Sequence, residues 1–322
     1  MKIQMAPMEG ITNYIYRNAH AKHFGKMDKY YTPFLSLHRE KEFNHKEKQE
    51  ILPEHNEGLC VVPQVLTNSA EDFLVAAKKL KDIGYTEINI NMGCPSGTVT
   101  TKGKGAGILE DTERLDNFLE TIFERTPVNI SIKTRLGMES TQEWATLLEI
   151  YNKFPITELI VHARVRNDFY KNTPNWDAYA YAVENSNNPL CYNGDIFTLE
   201  NYDRFKERFP HAENVMLGRG LLSNPFLASE ISRQQGDVSD EICTGIAQEK
   251  LLQLQAFHDE IYMEYQKVMS GDQNVLFKMK ELWTYMIAMF PDAEKEQKAI
   301  RKAKKCTEYE NAVSGLFGRK MR

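Results

Sequence analysis

Short apolar runs, six to eight residues long, recur along the first two thirds of the chain: "KIQMAPM" (2–8), "KYYTPF" (29–34), "LCVVPQVL" (59–66), "TEININ" (86–91), "VNISIKT" (128–134), "TELIVHA" (157–163), "PLCYNGDI" (189–196) and "NVMLGRG" (214–220). Their length, alternation and β-branched content predict strands. Between most of them the apolar period changes to that of a helix. Ser69 with Asp72 opens one such segment in the manner of a capping box, and Phe73, Ala77, Leu80 and Ile83 then share a face. Ser140 and Glu143 repeat the device before "WATLLEIYNKF", and "DTERLDNFLETIFERT" and "TLENYDRFKERFP" are similarly amphipathic. Strand followed by helix, repeated in this way, predicts an α/β fold, a closed parallel (β/α)8 TIM barrel over residues 1–225.

A doubly wound open sheet shares that alternation, but it would carry G-x-G-x-x-G after its first strand, where this chain has "MAPMEGITN". The glycine-rich "KGKGAG" (102–107) follows the fourth strand and matches neither that fingerprint nor a P-loop. Strand signals then stop. "ICTGIAQEKLLQLQAFHDEIYMEYQKVM", "QNVLFKMKELWTYMIAM" and "AEKEQKAIRKAKKCTEYENAVSGLF" read as three helices parted by "SGD" and "PD" turns. They predict an all-helical domain at 226–322, with "LWTYMIAMF" as its core stripe.

Composition narrows the function. With 42% hydrophobic and 26% charged residues the chain is an ordinary globular one. The N-terminus has no apolar signal region and no stretch is long enough to span a bilayer, so a cytoplasmic protein is expected, with no membrane contact and no obligate protein partner evident. Five scattered cysteines without a C-x-x-C pair speak against zinc, disulfides or a dithiol centre. Net charge is −5, yet residues 295–322 hold nine Lys/Arg against three acids. A polyanionic partner would be met there.

The C-terminal ends of barrel strands converge on one mouth. In chain order they deliver "APMEG", Gln64, Asn89 and Asn91 with the Cys94 turn, Lys133 and Arg135, His162 and Arg164, "NGD" (193–195) and "GRG" (218–220). Glycines after the last two strands with Arg219 suit a phosphate. Lys133 suits an aromatic group that becomes anionic on reduction, and Gln64 the edge of a heterocycle. A phosphorylated flavin fits this set better than a dinucleotide.

"APMEG", "NMGCPSG" followed by "GKGAGIL", "IKTRLG", "VHAR", "YNGDI" and "LGRG", in this order, resemble the dihydrouridine synthase family over roughly residues 3–225. The resemblance implies FMN-dependent, NADPH- or NADH-driven reduction of the uracil C5–C6 double bond in tRNA, and it puts the helical tail in the place of an RNA-binding domain. It implies FMN contacts from Pro7, Met8, Glu9, Gln64, Lys133, His162, Asn193, Gly194, Asp195, Gly218 and Arg219. Asn91 would help fix the uracil, Arg135 and Arg164 would lie near the substrate or its phosphates, and Lys302, Lys304 and Lys305 would meet RNA. The chain departs from the family at Val165, where threonine is common, before "RNDFYKN".

Reduction needs a hydride at C6, from flavin N5, and a proton at C5 from the opposite side. A free cysteine, with a pKa of about 8.5, is mostly thiol at neutral pH and can donate. Gly93 and Pro95 set Cys94 in a turn at a strand end, which makes it the candidate acid. Cys60 and Cys191 lie in apolar strands and read as core; Cys243 and Cys306 read as helix packing or surface. His20 and His23 lack a third metal ligand and read as surface residues. A flavin barrel reductase of a free small molecule, similar to a dihydroorotate dehydrogenase, is the alternative, and the basic helical tail counts against it.

Overall fold

The structure, a computed structural model, describes residues 1–236 and 247–318. Its strands are β1 (Lys2–Met5), β2 (Lys29–Tyr31), β3 (Val61–Val62), β4 (Gln64–Val65), β5 (Glu87–Met92), β6 (Asn129–Arg135), β7 (Leu159–His162), β8 (Leu190–Asn193) and β9 (Asn214–Leu217). All pairings are parallel, in the order β3-β2-β1-β9-β8-β7-β6-β5-β4.

The two ends of that order are halves of one expected strand. Pro63 stands between them and has no N–H to give the ladder. Its carbonyl still accepts from Asn89 N (2.9 Å), while β3 pairs with β2 and β4 with β5. The sheet closes on itself as an eightfold barrel. Helices follow the strands, among them Ala70–Asp82, Thr112–Arg125, Glu143–Tyr151, Trp176–Asn185 and Leu199–Arg208. Ser69 caps the first of these through Asp72 N at 3.2 Å. At the next expected box, Glu143 accepts from Ser140 N at 2.7 Å, while the Ser140 hydroxyl accepts from Gln142 N.

Inside the barrel an apolar layer, Ala6, Tyr31, Val62, Ile160, Cys191 and Met216, fills the centre. Below it the Glu158 carboxylate is 4% exposed and held by Gln4 Nε2 (2.7 Å) and the Tyr31 hydroxyl (2.9 Å). Above it the side chains turn polar, and that layer is the floor of the mouth.

The chain forms two compact units: Met1–Pro7, Asp28–Asp195 and Lys206–Met216 in one, Met8–Met27, Ile196–Phe205 and Leu217–Arg322 in the other. The second unit contains helices Tyr14–Phe24, Leu227–Gln234, Ala247–Val268, Asp272–Met286, Glu294–Lys302 and Cys306–Phe317. In its core Phe257 meets the rings of Tyr16, His20, His23 and Phe24. Trp283 donates to the Tyr309 hydroxyl at 2.8 Å, so the "LWTYMIAMF" stripe is core as expected.

Three expectations are corrected. His20 is fully buried, with Nε2–H donating to Pro225 O (3.0 Å), because helix Tyr14–Phe24 turns that face inward. Burial, opposed by this bond, pushes its pKa down to about 4. Cys60 is exposed because it precedes β3, whereas Cys191 is buried; Cys243 lies outside the described residues. The last expected helix breaks at Ala303 into two. Ile300 and Ala303 are buried, and so are Tyr309 and Val313; six residues at about 100° each would turn Tyr309 away from Ala303 in an unbroken helix. Lys302, Lys304 and Lys305 are exposed around this break.

Candidate active site

Parallel register sets the polar floor. Gln64 stands beside Asn89, Asn89 beside Ser131, and Asn91 beside Lys133. Ser131 Oγ accepts from Asn89 Nδ2 (3.0 Å), Asn89 Oδ1 from Gln64 Nε2 (2.8 Å), and Gln64 Oε1 from Asn91 Nδ2 (2.8 Å). Each amide is thereby oriented, and the freedom of Asn91 is spent in one direction. Its Oδ1 accepts from Gly93 N (3.1 Å) and Cys94 N (2.9 Å), fixing the turn that carries the thiol.

The glycine-rich run is the second support of that turn. Residues Gly105–Glu110 form a buried 3-10 helix, and Ala106 N donates to Cys94 O at 3.0 Å. Gly105 has φ +56°, and a Cβ there would lie 2.8 Å from Cys94 O and 3.0 Å from Cys94 Cβ. Only glycine permits this approach. The run cradles the cysteine turn.

Arg135 is the third support. Its guanidinium is 1% exposed and donates to Gly93 O (2.8 Å), Val165 O (2.9 Å) and Phe169 O (2.9 Å). Arg164, also 1% exposed, donates to Asn172 O (2.5 Å) and pairs with Asp195. It also lies 3.0 Å from His162 Nε2. A guanidinium only donates, so this contact requires the His162 proton to be on Nδ1. Both arginines serve here as braces of mouth loops, and Asp195 is engaged by one of them.

Lys133 keeps partial access to solvent and donates to Asn193 Oδ1 at 2.8 Å, while Asn193 Nδ2 donates to Met216 O at 2.9 Å. Desolvation, followed by the charge of Arg135, brings the Lys133 pKa down to about 7. An anion beside it would restore its charge. This fits a ring system that gains negative character on reduction. Gly194 owes its size to an internal neighbour, since a Cβ would lie 2.0 Å from the Tyr192 hydroxyl. Pro7 follows β1 in the same unit.

The remaining expected contacts belong to the second unit. Met8 N donates to Thr12 Oγ1 (2.8 Å), Glu9 is exposed, and Gly218 precedes the short helix Arg219–Ser223 with Arg219 over the Phe197 ring at 5.5 Å. Ser131 and the exposed pair Phe169–Tyr170 were not foreseen from the sequence. The signals were a lone polar residue in "NISIKT" and adjacent aromatics in "RNDFYKN".

A closed parallel barrel with an ordered thiol and a lysine of adjustable charge at its mouth defines a barrel enzyme. A profile of the family described as dihydrouridine synthase matches residues 4–316. A tRNA-dihydrouridine(16) synthase of Pseudomonas syringae pv. tomato is 29% identical over 242 residues, 73% of this chain and 76% of that one. One from Cupriavidus necator is 27% identical over 329 residues, 98% of each. Among solved structures, histamine dehydrogenase from Rhizobium sp. 4-9 shares the fold at TM-score 0.54 and 13% identity, with 73% of this chain matched to 46% of that longer one. The chain belongs to the dihydrouridine synthase family and is an oxidoreductase. Among the described residues no helix is long and apolar enough to cross a membrane.

Proposed function

We propose that the protein reduces the C5–C6 double bond of a uridine in tRNA to 5,6-dihydrouridine, with Cys94 giving the proton to C5. The observation that carries this reading is the threefold support of the Cys94 turn by Asn91, Gly105 and Arg135, on the strand register that also carries Lys133. Effort of this kind is spent on a side chain whose position matters to better than about 1 Å. The relatives named for position 16 support that uridine as the target.

FMN, when bound, supplies two electrons that NADPH or NADH replaces. Lys133 would hold a positive charge beside the bound cofactor, and Asn193 would orient the Lys133 ammonium. Gln64, fixed by Asn89 and Asn91, presents one orientation of its amide, and His162 presents Nδ1–H. Pro7, Met8, Glu9, Gly194, Asp195, Gly218 and Arg219 complete the FMN set. Asn91 touches the uracil as well as the turn. Arg135 and Arg164 border the substrate through the loops they hold. Residues 1–225 make up the catalytic domain and 226–322 the RNA-binding domain, where Lys302, Lys304 and Lys305 meet phosphates.

The test is the dihydrouridine content, by nucleoside mass spectrometry, of tRNA from cells lacking the protein and complemented with wild type or Cys94→Ala. Loss at one position, restored by wild type alone, is expected. Unchanged dihydrouridine in the deficient cells would refute the reading.

A further inference from the structure

The four polar side chains beneath the Cys94 turn form a chain whose polarity is fixed from one end. Gly93 N and Cys94 N can only donate, so the Asn91 atom they meet is its oxygen. Asn91 Nδ2 therefore faces Gln64, which must answer with Oε1. Gln64 Nε2 then faces Asn89 Oδ1, and Asn89 Nδ2 faces Ser131 Oγ. A hydroxyl can accept or donate, so Ser131 ends the chain without contradicting it. Turning any one of the three amides over would set N–H against N–H or oxygen against oxygen at a contact of 2.8 Å. Gln64, Asn89 and Ser131 are fully buried, so a bond lost among them is not replaced by water.

Asn89 and Ser131 lie too deep for the chemistry of the mouth. They pair in register two residues below Asn91 and Lys133, roughly 7 Å further down the strands. Their bonds lead to Gln64 and not to the turn itself. Buried polar groups cost free energy that aliphatic side chains at these positions would not. What they add is a fixed end for Gln64, whose other end holds Asn91, and Asn91 holds the turn.

We propose that Asn89, with Ser131 behind it, is a positioning residue for the reduction: through Gln64 and Asn91 it couples the amide that meets the cofactor to the turn that carries the proton donor. Hydride and proton reach the uracil from opposite faces, and one rigid chain sets both. This rests on the uridine-reduction reading.

The full chain loaded with FMN is compared as wild type, Asn89→Leu, Asn89→Asp, Gln64→Leu and Gln64→Leu/Asn89→Leu. Three quantities are read: amide hydrogen exchange at Gly93 and Cys94, the FMN dissociation constant, and the single-turnover rate of dihydrouridine formation at saturating FMN and tRNA. Asn89→Leu leaves Gln64 Nε2 without its acceptor. Exchange at the turn should quicken, and FMN affinity and rate should both fall, by about 5- to 100-fold each. Exchange in β8 should stay at the wild-type rate. Asn89→Asp still accepts from Gln64 and can take the Ser131 hydroxyl proton, so its turn should exchange like wild type. With Gln64 already replaced by leucine, Asn89→Leu should add nothing. Ser131→Ala unpairs only Asn89 Nδ2 and should act in the same direction at the low end of that range, which keeps the test alive should Asn89→Leu not fold. Wild-type exchange at the turn in the variants that break the chain would overturn the proposal. So would weaker FMN binding with an unchanged rate, a further loss in the double variant, or exchange quickened equally in β8. Wild type that makes no dihydrouridine while its turn still responds to Asn89 would instead sink the reading beneath it.

Discussion

Replacing Gly105 by alanine probes the support of the acid without touching a group that could meet substrate. The added methyl carbon would lie 2.8 Å from Cys94 O, 2.9 Å from Val99 Cγ1 and 3.0 Å from Cys94 Cβ, closer than carbon is tolerated. The φ of +56° adds a backbone cost of about 1–2 kcal/mol for an L-residue. Overpacking of a fixed site adds about 1–3 kcal/mol. Together these give roughly 2–5 kcal/mol. Residues 105–109 are buried, so relief comes from movement of the turn, and with it the thiol. A shift approaching 1 Å costs on the order of 100-fold in rate. The assay is single-turnover dihydrouridine formation at saturating RNA, with RNA affinity measured beside it. The rate should fall 10- to 100-fold with affinity within about twofold. Gly97→Ala, whose Cβ meets nothing within 4 Å, is the control and should react like wild type. A folded Gly105→Ala enzyme at the wild-type rate would refute the reasoning, and so would equal damage at Gly97.

Lys133 binds fewer protons folded than unfolded between pH about 7 and its ordinary value, so stability of the cofactor-free chain should rise with pH across that window. Lys133→Met should flatten that rise in urea melts. His20, held neutral down to pH about 4, makes stability fall as pH drops from about 6.5 to 4. His20→Gln should reduce that loss, which acid-titrated circular dichroism would register. Reversing Lys302, Lys304 and Lys305 to glutamate should weaken tRNA binding and flatten its dependence on salt concentration; an unchanged slope would put the phosphate contacts elsewhere.

The barrel was legible because each strand announces itself locally: every expected run begins within two residues of its strand. Closure was expected too, but the split of the third strand was not, because whether the halves on either side of Pro63 serve different neighbours depends on strands distant in sequence. The Cys94 turn could be read from its glycine, proline and serine, and Lys133 from its place at a strand end. The bracing role of Arg135 could not, since the groups it braces are backbone carbonyls, which any residue supplies. His20 escaped for a related reason. One histidine on a weakly amphipathic helix does not reveal which face the tertiary fold covers. The helix break at Ala303 left only a phase change between the apolar positions on its two sides.

That Arg135 holds the carbonyls of Gly93, Val165 and Phe169 has an evolutionary consequence. The side chains at 165 and 169 can change without releasing the grip, so the loop can drift to suit a different target while the proton-bearing turn stays where it is. Position 135 itself has no such licence, because a change there disturbs both loops at once. Diversity in this part of the barrel is channelled toward the residues that face outward and away from the one that holds them.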